Sequence, residues 1–151
     1  MIRFTVYGKA EPAGSKKAFA FLGKDAKAHA TVTDDNKNSK GWKSMVADAA
    51  REAYKGPLLD CYLIVTFVFY RPRPKGHFNS HEGLNAKGRR EHSPGTKPDV
   101  LKLARGAEDA ITGIIWRDDA LICDEHLKKN WGEPARLEVT INELRPPLQL
   151  D

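Results

Sequence analysis

Ile2–Tyr7 alternates, with Ile2, Phe4 and Val6 set against Arg3, Thr5 and Tyr7, the period-2 pattern of a strand with one buried face. A lysine-rich, Gly/Pro-punctuated loop follows, GKAEPAGSKKAF at 8–19. Residues 13–40 show no clear period, with short strands expected at Ala18–Leu22 and Thr31–Thr33. Helical spacing then places Trp42, Met45, Val46, Ala49, Ala50 and Ala53 on one face. It predicts a helix over Lys40–Tyr54, with Ser39 as N-cap and Gly56-Pro57 as the stop. Residues 58–70, LLDCYLIVTFVFY, are apolar on both alternate faces, so a central strand covered on both sides is expected. Pro72 and Pro74 end it, and a polar loop of about 25 residues leads to Lys97, longer than ordinary connections.

The next helix starts at Pro98-Asp99, with Asp99 fitting the N-cap and Gly113 the C′ position. Leu103, Ala107, Ile111 and Ile114 form its core stripe, while Lys102, Arg105 and Asp109 share another face. Trp116 leads into a turn at Arg117–Asp119. Strands over Ala120–Asn130 and Ala135–Glu143, separated by the WGEP turn, are expected to form a hairpin. The order β, loop, α, β, long loop, α, β, β predicts an α+β fold. It should hold a mixed β-sheet of about four main strands and two main helices in a single domain over 1–151.

With 40% hydrophobic and 30% charged residues, the chain reads as ordinary soluble protein able to build its own core. No apolar run approaches a membrane span, and the N-terminus reads as a strand without the apolar core of a signal peptide. Cys61 and Cys123 stand alone inside apolar patterns and read as reduced, buried thiols of a cytoplasmic protein. The net charge of +5 changes the picture through its placement. Residues 71–97 carry Arg71, Arg73, Lys75, Lys87, Arg89, Arg90 and Lys97 against Glu82 and Glu91. Such a stripe suits a polyanion such as nucleic acid, or serves only as a solubilising loop.

Four acids surround the second helix: Asp99 at its start, Asp109 along it, Asp118 and Asp119 in the turn beyond. Clustered carboxylates that stay ionised need a cation, and oxygen ligands point to Mg²⁺ or Mn²⁺. Beside a basic stripe, that chemistry suggests phosphodiester hydrolysis. The bland alternative makes Asp99 only a cap, Asp109 a surface partner of Arg105, and Asp118-Asp119 turn residues. The residues alone leave both readings open.

KPDVLKLAR (97–105), EDAITG (108–113) and IIWRDDA (114–120) resemble the core of RusA-type Holliday junction resolvases. That family's pattern runs Lys-Pro-Asp-x-Asp-Asn-Leu-x-Lys, then Asp-Ala-Leu, then Asp-Asp shortly before a strand. The surroundings agree, from the first strand and the GSKK loop to the strand ending in RPRP (71–74), so the resemblance spans nearly the whole chain. It implies a homodimeric, Mg²⁺-dependent endonuclease that nicks four-way or branched DNA, cytoplasmic and of cellular or phage origin. By position, Asp99 and Asp119 would be catalytic metal ligands, with Asp118 and Asp109 assisting. Arg105 falls on the family's active-site lysine; it keeps the charge but cannot give up a proton at neutral pH. Lys16, Lys17, Arg71, Arg73, Arg89, Arg90, Lys97 and Lys102 are the candidate DNA contacts. Leu101 stands where the family has its second Asp, and Lys102 where it has Asn. Asp109 or Glu108 would complete the site from the helix, or water would fill the gap, since Mg²⁺ often keeps several waters; otherwise the chain is a branched-DNA-binding protein with a degraded metal site.

Overall fold

The structure is a computed structural model that describes residues 1–14, 16–22, 28–34 and 37–145, with the backbone alone for 16–22 and 28–34. Strand β1 (Ile2–Tyr7) is followed by a hairpin of β2 (Lys16–Leu22) and β3 (Ala28–Asp34), which forms a separate two-stranded sheet. Then come α1 (Ser39–Ala53), β4 (Leu63–Arg71), α2 (Ala86–Arg90), α3 (Val100–Ile111), β5 (Ile122–Trp131) and β6 (Arg136–Glu143). The main sheet is four-stranded and mixed, in the order β1-β6-β4-β5, with only β4 and β5 parallel. This is the α+β fold expected. The side chains of Lys16 and Lys17 lie outside the described residues.

Both main helices cover one face of the sheet. Trp42, Val46 and Ala50 recur every fourth residue of α1, and Leu103, Ala107 and Ile111 do the same on α3. They close on Val65, Phe67 and Phe69 of β4 and on Leu137, Val139 and Ile141 of β6, all buried. Burying an aliphatic or phenylalanine side chain is worth roughly 1.5–3 kcal/mol, so this layer carries most of the hydrophobic stabilisation. Trp42, Phe67 and Phe69 are core, as expected.

Three expectations need correction. β4 is central but, among the described residues, covered on one side only: Ile64, Thr66, Val68 and Tyr70 remain half-exposed, because α1 and α3 lie on the same face. The Arg136 guanidinium lies 3.8 Å from the centre of the Tyr70 ring and shields part of the open face. β4 also starts later than residue 58. Leu59 is bonded instead to Ile115 and Arg117, which ties the end of α3 to the start of β4. Finally, β5 and β6 make no hairpin, since β4 lies between them. The connection at 132–135 crosses the end of β4, with Gly132 donating its N–H to the Arg71 carbonyl at 2.9 Å. A Cβ on Gly132 would lie 2.6 Å from the Tyr70 ring, so only glycine passes there without displacement.

Cap positions follow the sequence more closely. Asp99 caps α3, its carboxylate accepting from the Lys102 N–H at 2.8 Å, and Gly113 lies just beyond the helix with φ +80°. Ser39 is the first residue of α1 rather than its cap; Asn38 holds the N-cap position. The segment between Arg71 and Lys97 contains a 3₁₀ turn (Lys75–His77) and α2 rather than a plain loop. Among the described residues no helix is long and apolar enough to cross a membrane.

Candidate active site

α3 and β5 build the acidic face together. Parallel partners on adjacent strands point the same way, so Glu125, Leu127, Lys129 and Trp131 face the helices alongside Val65, Phe67, Phe69 and Arg71. A β-bulge sets this parity: Leu63 pairs with Ile122 and Ile64 with Asp124, leaving Cys123 as the extra residue. Without the bulge, Glu125 would point to the open face. The bulge also corrects the reading of the cysteines. Cys123 is exposed and Cys61 half-exposed, and both are free.

Glu108 of α3 is half-buried against this face, and its carboxyl is pushed up to about 8. Burial is the largest cause, followed by a hydrogen bond with Glu125 and then by the charges of Glu125, Asp119 and Asp109. The helix end that carries Glu108 is fixed from behind. Thr112 donates its hydroxyl to the Glu108 carbonyl at 2.8 Å and accepts from the buried Trp116 indole at 2.9 Å.

Asp99 stands at the other end of α3, beside Lys129. Burial, then Arg71, lowers the Lys129 ammonium pKa, and Asp99 works in the opposite direction. Since Asp99 neighbours Lys129 and Glu108 neighbours Glu125, α3 runs antiparallel to β5. Four strand residues separate the two ends, about 13 Å. Asp99, Leu127, Lys129 and the 93–97 segment line a cleft of about 400 Å³.

The expected acids therefore fall into two groups. Asp119 and Asp109 lie with Glu108 and Glu125, whereas Asp99 belongs to the Lys129 end. Asp118 caps the turn before β5, accepting from the Ala120 N–H at 2.9 Å. Asp109 pairs with Lys43 of α1 at 3.0 Å rather than with Arg105. Leu101, Arg105 and Glu108 follow one another at spacings of four and three on α3, so they share a stripe. Leu101 is 68% exposed there. The loop after β1 docks on the same helix: the Ala13 N–H donates to the Lys102 carbonyl at 3.0 Å. Among the described residues, no three His, Cys, Asp or Glu side chains are gathered closely enough to hold a metal ion.

The basic stripe divides too. Arg71 donates to the Lys97 carbonyl at 3.0 Å, and Arg89 to the Leu84 carbonyl. Arg73 donates to the Gly88 and Glu91 carbonyls at 2.8 and 3.1 Å and lies over the Trp131 ring. Buried His77 contacts Glu91 at 3.1 Å and meets the same ring edge-on. By contrast, the side chains of Arg90, Lys97, Lys102 and Arg105 make no hydrogen bond or ion pair among the described residues. Glu125 and Lys129 are the residues that sequence reasoning missed. Their shared parity with Leu127 is a usable signal only once the bulge at Cys123 is known.

The family model for Endodeoxyribonuclease RusA matches residues 15–142. An uncharacterized protein, YqaN of Bacillus subtilis (strain 168), is 31% identical over 143 residues, covering 95% of this chain and 96% of its own. The chain belongs to the RusA endodeoxyribonuclease family, Holliday junction resolvases that act as nucleases on branched DNA.

Proposed function

We propose that this protein is a divalent-metal-dependent endonuclease that hydrolyses phosphodiester bonds at Holliday junctions or related branched DNA, working as a homodimer. The observation that carries this reading is half-buried Glu108 in hydrogen-bond contact with Glu125, with Asp119 and Asp109 around it. Two carboxyls in hydrogen-bond contact share a proton in place of a second counter-charge, and a cation relieves the same repulsion. The donors are all carboxylate oxygens, which fit Mg²⁺ with Mn²⁺ as substitute. Glu108, Glu125 and Asp119 would hold the ion only after their side chains close on it and the shared proton leaves, with water filling the remaining positions and Asp109 and Asp118 nearby. Glu108 thus stands in for the acid missing at Leu101, on the same helix stripe but about 10 Å further along.

When bound, the cation supplies Lewis-acid polarisation of the phosphate and makes water more acidic. The protein's own groups do the rest. Arg105, two turns or fewer from every acid of the stripe, neutralises charge on the scissile phosphate without exchanging a proton. Asp99, at the other end of α3 in the cleft beside Lys129, would offer an oxygen ligand to a cation brought in with the phosphate. The cations Arg90, Lys97 and Lys102, unpaired among the described residues, position the DNA backbone without reading sequence, which suits recognition by shape.

A second reading rests on Leu101, whose exposed apolar side chain occupies a place that the resemblance gives to a ligand. On that reading the chain binds branched DNA and does not cut it. A labelled four-way junction with Mg²⁺, Mn²⁺ or EDTA separates the two. Metal-dependent nicking is expected, lost in Asp119→Asn and Glu125→Gln with junction binding retained. Binding without nicking at every metal concentration leaves only the second reading.

A further inference from the structure

Lys129 is an unusual lysine for a strand that faces a helix. Its half-buried side chain sends the ammonium not to a carboxylate but to the carbonyls of Thr96 at 2.7 Å and Pro98 at 2.8 Å. Arg71, two residues past the Lys129 partner Phe69 on β4, donates to the intervening Lys97 carbonyl at 3.0 Å. Two cations on the rigid sheet therefore hold three consecutive carbonyls, and the next residue is Asp99. That carboxylate is fixed from its other side by the Lys102 N–H. Asp99 and Lys129 also line the same cleft.

Holding so short a backbone run needs no charge; ordinary strand pairing would do it. Half-burying an ammonium and a guanidinium there still costs solvation, so their use points to a need for position or field. We propose that Lys129, with Arg71, is a positioning residue that fixes Asp99 in the cleft and keeps positive potential where the phosphate enters. This deepens the nuclease reading of the same site and rests on it. A carboxylate displaced by an ångström loses most of its catalytic value, whereas junction binding depends on cations elsewhere on the surface.

The test compares wild type with Lys129→Met, Lys129→Arg and Arg71→Met. Single-turnover cleavage of a four-way junction is titrated with Mg²⁺, junction affinity is measured in EDTA, and amide exchange is followed across residues 96–103. Lys129→Met is expected to cut about thirtyfold more slowly at saturating DNA. Its junction Kd should stay within about threefold of wild type, with faster exchange confined to 96–103. Lys129→Arg, which can still reach a carbonyl, should recover most of the rate. Unchanged cleavage and unchanged exchange in Lys129→Met would overturn the proposal. So would a parallel loss of binding, or an arginine variant as slow as the methionine one. If wild type cuts no branched DNA with any metal, the nuclease reading falls on its own. Exchange at 96–103 then still decides whether the clamp exists.

Discussion

Glu108 carries a pH signature of its own. Its folded-state pKa, near 8, lies above the ordinary value of 4.5, so the folded protein holds this proton where the unfolded chain has lost it. The associated stability is fully present below pH 4.5 and is lost as pH rises to about 8. Glu108→Gln cannot ionise, so relative to wild type it should gain about 2–5 °C in Tm at pH 8.5 and nothing at pH 4.5. Thermal melts at the two pH values check this; equal effects would mean that the carboxyl pair is not strained. Mg²⁺ competes with the same proton, so its stabilising effect should be larger at pH 8 than at pH 6. Sequence made Asp99 legible because a cap has a local signature. It left Glu108 as an acid of open role and missed Glu125, since burial against a distant strand has no local signature.

At the scale of elements, helix stripes and strand parity located the core, while pairing order escaped the sequence. Two alternating strands joined by four residues look like a hairpin, and only Gly132 against Tyr70 shows that the link passes over a third strand. Long loops are equally opaque. The segment after β4 reads as polar chain, yet Asn85 caps α2 and Arg73, His77, Glu91 and Trp131 knit it together. A Cβ on Gly88 would overlap the His77 carbonyl oxygen. Gly88→Ala should therefore loosen residues 72–95 to protease while leaving β4 and α3 protected. Limited proteolysis with mass analysis reads this directly; an unchanged cleavage map would show that the segment absorbs the clash.

For the whole molecule, a net charge of +5 overstates what is free to meet DNA, because Arg71, Arg73, Arg89 and Lys129 are engaged with backbone carbonyls. Arg90→Ala and Lys102→Ala should each flatten the slope of log Kd against log salt by about one unit. Arg73→Ala should leave that slope nearly unchanged, and junction binding measured across a salt series distinguishes the two classes. The crossing of 132–135 over β4 also bears on how the molecule assembles. β4 cannot gain either neighbour until chain roughly 50 residues further on has been made, so its pairings close long loops. The segment bearing α2, together with α3, lies inside the loop closed by β4 and β5. The acidic face between α3 and β5 consequently comes into being only after a long-range pairing has closed, and no shorter fragment ending before β5 can carry it.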